Sequence, residues 1–384
     1  VESVCILEGL RSFIGVKDGM YKHVPGEILG AEVLKELLKR VRLEEREIDL
    51  VIGGNAVGGG GNITRLAALE AGIPESVPAV TMDLQCASAL ESITMAAAMI
   101  ESGAASVVVA GGLESSSTQP LRLWNPNHPD FVENKSYTVA KFIPGMQGEK
   151  VMLEGAELTA LEEGIKKEEM DAWILRSHKR AAQAAEKGLL SDVVISVKGS
   201  RRDEGIRAGM NQKLIDRLPF ILPGGKVITA ANACLMNDGA AFLVLCSKSY
   251  AKKAGLQPKA YFRIGVSVGG NPLKSPETAV LAARKLLTAA GFDYHKIDAY
   301  EVNEAFAVID ALFLKNFKGI EDGYNIFGGA LAYGHPYGAS GALLLVHLLK
   351  ALEIKGGRYG ICSIAAAGGI GSAVLIERGD EGIE

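Results

Sequence analysis

The sequence predicts an α/β protein built from two duplicated halves, each a buried sheet covered by helices. Two internal repeats carry that expectation. In the first, a helix around 28–41 (ILGAEVLKELLKRV), apolar at i, i+3, i+4 spacing, leads into the buried strand EIDLVIGGNA. The same order returns as a helix around 278–291 (TAVLAARKLLTAAG) followed by KIDAYEVNEA at 296–305. In the second repeat, a helix after Cys86 runs into ASVVVAGGLE at 105–114. Its counterpart is a helix around 339–354 that runs into RYGICSIAAAGG at 358–369. Helix, short loop, apolar strand and a double glycine recur in both.

Residues 1–250 therefore read as the first half and 257–384 as the second, with a lobe of different character over about 115–225. That lobe opens with the proline- and asparagine-rich loop WNPNHPDF. It continues as a helical stretch from about 156 to 188 that carries most of the local basic residues. Those lysines and arginines suit either a solvated helical insertion or a lobe that holds an anionic ligand.

A chain of 384 residues is long enough for two ordinary domains or one large duplicated one. With 48% hydrophobic and 22% charged residues, it has the composition of a compact soluble protein. A formal net charge of −4 offers no polybasic surface, so a nucleic-acid partner is not expected. The N-terminus lacks the apolar core of a signal peptide. Charges are read as interrupting the apolar stretches before 18 residues, so no membrane span is expected. Five scattered cysteines (Cys5, Cys86, Cys234, Cys246, Cys362) without a C-x-x-C pair argue against a disulfide framework or a metal site. They point to a reducing, cytoplasmic setting.

Four stretches carry candidate chemistry. Cys86 sits where the run AVTMDLQ gives way to an alanine-rich helix. A thiol there feels the positive end of the helix dipole, which favours thiolate. It is equally readable as a small core residue. Asn303 and Glu304 end a buried strand, where α/β sheets carry function, although Asn is also a good helix N-cap. His335 lies in GGALAYGHPYGASGA at 328–342, a glycine-dense loop opening a helix, which permits close approach of a ligand. A lone histidine is otherwise structural. The run SIAAAGGIGSAVLIE at 363–377 would leave backbone N–H groups open near a reacting carbonyl.

Taken in order, DLQCASALES, GGLESSSTQP, MLEGAELTALEEGI, DEGIRAG, TAANACLMNDGAA, VNEAFA, GGALAYGHPYGASGA and the glycine-rich end resemble the thiolase family. These are the acetyl-CoA C-acetyltransferases and 3-ketoacyl-CoA thiolases. The resemblance implies a thiolase fold: two βαβαβαββ halves in α/β/α/β/α layers, with a helical loop lobe inserted in the first half. It implies acyl transfer between coenzyme A thioesters, with no cofactor besides these substrates and no metal. A homodimer or homotetramer is implied as well. By matching motifs, Cys86 is the nucleophile that takes the acyl group, and His335 is the base that activates it. Asn303 holds a water in an oxyanion hole. Arg207 lies at the adenine end of coenzyme A, while Ala230, Cys234, Phe306 and Met152 line the pantetheine site.

The chain departs from the family pattern. Members often carry serine at Cys234 and histidine at Val151. Above all, the family's second catalytic cysteine, which moves a proton, falls at Ala365, counting from Arg358 and Gly360 or back from Gly368–Gly371. A methyl group carries no proton. Cys362 lies three residues upstream, so strand alternation points it to the other face. Either a catalytic cysteine has been replaced by design, or the chain is a natural relative with an impaired Claisen step. A non-catalytic acyl-CoA binding protein is the competing reading: Ala365 favours it, and the retained Cys86, His335 and Asn303 oppose it. Condensing enzymes of the ketoacyl synthase type share the duplicated fold, but NEAF and GHPYGASG point away from them.

Overall fold

The computed structural model describes residues 2–146, 148 and 150–379. The first half contributes β1 (Val4–Ser12), α1 (Gly26–Val41), β2 (Leu50–Gly54), α2 (Ile63–Glu70), β3 (Ala79–Met82), α3 (Ser88–Glu101), β4 (Val107–Ser115) and β5 (Asn237–Ser247). The lobe between β4 and β5 carries α4 (Val151–Glu163) and α5 (Lys167–Glu186). The second half contributes β6 (Ala260–Gly269), α6 (Thr278–Ala290), β7 (Ala299–Val302), α7 (Ala307–Asn316), α8 (Ser340–Lys355), β8 (Tyr359–Ala366) and β9 (Ile370–Arg378).

The strand order is β3–β2–β4–β5–β1–β6–β9–β8–β7, with two short strands alongside (Gly15–Val16 on β5, Val194–Ile195 on β1). Within the first half the order is third, second, fourth, fifth, first. Read back from its far end, the second half gives second, fourth, fifth, first. The third strand of the second half is reduced to one parallel bridge, Tyr300 with Tyr324. The two halves meet where their first strands pair antiparallel, Val4–Ile6 against Ala260–Phe262. The duplication read from the sequence is thus also a duplication of topology, incomplete by one strand.

Side-chain alternation along the central strands sorts the core into three layers. Val107 and Val109 pack with α1 and α2 on the outer face of the first sheet. Val108 and Ala110 face α3 and α8, which lie between the sheets. On β8, Cys362, Ile364 and Ala366 face that middle layer, whereas Ile361 and Ala365 face α6 and α7. The result is five layers, α/β/α/β/α. Because both faces of each sheet are covered, the strands read as nearly continuous apolar runs. Burying each Leu or Ile side chain of these layers contributes roughly 1.5–3 kcal/mol.

One expectation needs correction. Tyr337–Lys355 is long and apolar enough to cross a membrane, at 19 residues and a mean hydropathy of 1.3. Charges do not interrupt it as the sequence reading supposed. Its apolarity has a different cause: it is the middle-layer helix, 72% buried, enclosed by sheets on both sides.

The lobe, although inserted in the first half of the sequence, packs on the second. Ala156, Ala160, Met170 and Ile174 join the outer core beside α6 and α7. Ser177 on α5 donates to Glu304 Oε2 at 2.6 Å and accepts from Gly329 N at 3.0 Å. Glu304 also accepts from Asn325 Nδ2 at 2.9 Å and Leu331 N at 3.2 Å. This buried carboxyl therefore docks the lobe, which accounts for its place beside Asn303.

Candidate active site

Cys86 lies on the turn between β3 and α3. Leu84 N donates to Ser88 Oγ at 2.8 Å, and Gln85 N donates to Asp83 Oδ1 at 2.8 Å. The turn forces Gln85 into left-handed backbone, φ 53°, an uncommon conformation for a residue with a Cβ. The helix begins at Ser88, with Ala87 as its N-cap, so Cys86 stands just outside it. The expectation that the dipole favours thiolate is overturned. Burial dominates and pushes the thiol up to about 12, with Glu114 and Asp83 adding to the rise. Opposing them, the backbone N–H groups of Ala367 and of Cys86 itself hydrogen-bond the sulfur. Cys86 remains half-buried rather than sealed. It is a protonated thiol that needs a base.

The loop ahead of α8 carries His335. His335 N donates to Asn237 Oδ1 at 2.9 Å, and Asn237 Nδ2 donates to Gly15 O at 2.9 Å. Gly334 precedes it at φ 104°, and a Cβ there would run into the Asn237 side chain. Ser340 Oγ donates its one proton to Pro336 O at 3.0 Å and lies 2.6 Å from His335 Nδ1. The Nδ1 nitrogen then carries the ring proton, which leaves Nε2 as the acceptor on this ring. Burial pushes the ring down to about 3, so it is neutral and available as a base.

Asn303 completes the grouping. Its N–H donates to Ser363 O at 3.0 Å, extending β7 along β8. Its Nδ2 lies 3.3 Å from His335 Nε2. The next helix begins at Ala307 with Phe306 at its N-cap, so Asn303 does not cap it.

The two catalytic turns are locked together by close backbone approach. A Cβ on Gly54 would meet Gly338 O at 2.5 Å and Ala89 N at 2.6 Å, and one on Gly338 would meet Asn55 Cα at 2.5 Å. The double glycines noted in the sequence are thus where strand ends press against the histidine loop. Glu114, at the end of β4, ties the assembly. It accepts from Ala56 N at 2.9 Å, Gly338 N at 2.8 Å, Val57 N at 3.2 Å and Asn55 Nδ2 at 2.8 Å. Burial raises its carboxyl to about 7. Sequence reasoning missed Glu114, Ser340 and Asn237. Each lay inside a quoted motif, but its role depends on a partner distant in the chain.

The remaining predicted residues divide by location. Phe306 and Ala365 belong to the outer core of the second half, with Cys234 and Met152 packed at its margin. Glu157 of α4 accepts from Ile228 N at 2.9 Å, and Asn232 O accepts from Ala307 N at 2.9 Å, which fixes the segment carrying Ala230 and Cys234. Ala230 is exposed. Arg207 is exposed on the lobe, its N–H donating to His178 Nδ1 at 3.1 Å. Cys362 faces the middle layer, away from residue 365.

A duplicated five-layer α/β fold, with a thiol, a neutral histidine, an asparagine and paired backbone donors brought together, defines a protein of the thiolase class. The family comparison agrees. Residues 4–249 match the model of the thiolase N-terminal domain, and residues 256–378 that of the thiolase C-terminal domain. The chain belongs to the thiolase family. Among its relatives is a Staphylococcus aureus (strain MRSA252) protein named "Putative acetyl-CoA C-acetyltransferase VraB", 36% identical over 97% of this chain and 98% of that protein. "Putative acetyl-CoA C-acetyltransferase YhfS" of Bacillus subtilis (strain 168) is also 36% identical, with the same coverage. The crystal structure of a Bacillus anthracis acetyl-CoA acetyltransferase superposes with a TM-score of 0.92 at 33% identity, covering 98% of this chain and 99% of that one.

Proposed function

We propose that this chain transfers acyl groups between coenzyme A thioesters through a Cys86 acyl-enzyme, forming or cleaving a 3-ketoacyl-CoA (acetyl-CoA + acyl-CoA to 3-ketoacyl-CoA + CoA). The observation that carries this reading is the unprotonated Nε2 of neutral His335 beside the Asn303 amide, with two backbone N–H groups aimed at the Cys86 sulfur. His335 Nε2 takes the thiol proton as Cys86 attacks the thioester carbonyl. The N–H groups of Cys86 and Ala367 receive the developing oxyanion. Collapse expels coenzyme A, which leaves with the proton from His335. The carbon–carbon step that follows needs a second proton carrier, and Ala365 supplies none. That step is accordingly slower than acylation.

Ala365→Cys tests this division. It should raise thiolysis of acetoacetyl-CoA by about 10²-fold or more, the scale that general acid–base catalysis supplies. Single-turnover acetylation of Cys86 should change far less. Equal thiolysis by the parent and the variant would remove residue 365 from the proton path. The competing reading, a non-catalytic acyl-CoA binding protein, draws only on Ala365, and it predicts no acylation of Cys86 at all.

In this reading coenzyme A lies across the lobe, its pantetheine arm passing Met152, Ala230, Cys234 and Phe306 and its adenine end near exposed Arg207. Arg207→Ala should weaken coenzyme A binding by about 1–3 kcal/mol, the range for one charge-assisted contact. It should leave alkylation of Cys86 unchanged. Calorimetric titration checks the first expectation, and unchanged affinity would move the nucleotide end elsewhere.

Self-association fits the exposed edge of the first sheet. β3 ends the strand path, with Val80 47% exposed and Leu66 and Leu69 exposed on neighbouring α2. An unpaired apolar edge of this kind invites a second copy. Sedimentation should give a homodimer or homotetramer, and Val80→Lys should shift the population toward monomer. A cytoplasmic setting suits five unpaired thiols.

A further inference from the structure

We propose that the Cys234 thiol carries the proton that residue 365 cannot, so that the remaining carbon–carbon chemistry of this site runs through Cys234. This inference rests on the acyltransferase reading above and names the missing acid and base within it.

The five cysteines separate cleanly. Cys5 and Cys246 face each other across β1 and β5 in the outer core of the first half. Cys362 points into the middle layer. Only Cys234 accompanies Cys86 in the site.

Three contacts place Cys234 there. Its N–H donates to Ala305 O at 2.9 Å, and Ala233 bridges Phe306, so the segment lies along the strand end that bears Asn303. Two residues on, Met236 bridges His335. Cys234 therefore stands on the backbone that spans the two loops carrying the catalytic nitrogen atoms. It also packs at the margin of the apolar cluster that contains Ala365 and Phe306. The thiols of Cys86 and Cys234 lie within electrostatic reach of each other, and Tyr337, its ring 4.9 Å from that of His335, interacts with both.

The chemical state suits the task. Burial raises the Cys234 thiol well above its ordinary value, so at neutral pH it holds its proton. In thiolysis, Cys86 passes its proton to His335 Nε2 and attacks the 3-keto carbon, and the bond between C2 and C3 breaks. The released electron pair forms the enolate of acetyl-CoA, whose carbon takes the proton from Cys234. Coenzyme A then enters. Its thiol proton passes to the Cys234 thiolate while its sulfur displaces Cys86 from the acyl group, and His335 returns its proton to Cys86, so both cysteines regain their starting forms. Condensation is the reverse sequence. The departures at positions 234 and 365 thus complement each other: a thiol is absent on one wall of the cluster and present on another.

The test compares the parent with Cys234→Ser and Cys234→Ala in three assays. These are acetylation of Cys86 by acetyl-CoA, thiolysis of acetoacetyl-CoA, and exchange of the acetyl-CoA methyl protons in D₂O. Both variants should lose about 10²-fold in thiolysis and in exchange, the scale of one lost acid–base group. Acetylation of Cys86, read as a single-turnover rate at saturating acetyl-CoA, should fall far less than thiolysis and exchange, and unchanged thermal unfolding shows that the variants fold. Ala365→Cys added to Cys234→Ser should restore thiolysis to the level of Ala365→Cys alone. Thiolysis and exchange insensitive to Cys234, in a parent that is acetylated, would overturn this inference and leave the acyltransferase reading standing. A parent that accepts no acetyl group would overturn both.

Discussion

Cys86→Ala is expected to lower acetoacetyl-CoA thiolysis by at least about 10⁴-fold, the scale seen when a covalent nucleophile is deleted. The reason is structural as well as chemical. Among the described cysteines, Cys86 alone receives a backbone N–H from the β8–β9 turn, that of Ala367, besides its own. Cys234 does not replace it as nucleophile, because burial raises its thiol and no N–H group from another turn offsets that rise. The fold should survive, since the turn is held by Ser88, Asp83 and the Gly54–Gly338 approach rather than by the thiol. Unchanged thermal unfolding with activity lost is the expected pair of results. Activity within tenfold of the parent would place the nucleophile elsewhere.

His335→Ala comes next, with an expected loss of about 10²–10⁴ in the rate of Cys86 acylation. A thiol pushed up to about 12 is scarcely ionised at neutral pH without a base. The pH dependence adds a sharper expectation. The ring is held down at about 3, so it stays neutral across neutral pH and loses its basic form only as pH falls through that value. Iodoacetamide labelling of Cys86 should therefore show no acid limb near about 6.5, the ordinary histidine value. The same depression affects stability. Between about 3 and 6.5 the unfolded chain binds a proton at this position that the native state refuses, so the contribution is full above 6.5 and is lost as pH falls. An acid limb centred near 6.5 would show that His335 titrates in solvent rather than in the core.

Much of the architecture was legible because its signals are local. Apolar runs bounded by double glycines gave the central strands, and i, i+3, i+4 spacing gave α1 and α6. Their recurrence gave the duplication. The lobe was legible as an insertion but not in its docking, which depends on Ser177 meeting Glu304 across 127 residues. The missing third strand of the second half was not legible either, since residues near Tyr324 pair through a single bridge.

Within the site, motif order picked out Cys86, Asn303 and His335, and the fold brings them to one place. What local reading got wrong was electrostatic. The dipole argument for Cys86 considers one helix, whereas the thiol packs against the middle-layer core near buried Glu114, so desolvation prevails. The tautomer of His335 was equally out of reach, because it depends on where Ser340 sends its proton. Cys234 showed in the sequence only as a departure at a substrate-lining position. Its meaning appears once the bridges to Phe306 and His335 are seen together.

The acyl-enzyme itself can be observed. Mixing the protein with acetyl-CoA, quenching in acid, and determining intact mass and peptide map reports whether and where an acetyl group is held. The account predicts one acetyl group per chain, on the peptide containing Cys86, removed by added coenzyme A. No adduct, or an acetyl group held on Cys5, Cys234, Cys246 or Cys362 instead, would contradict it.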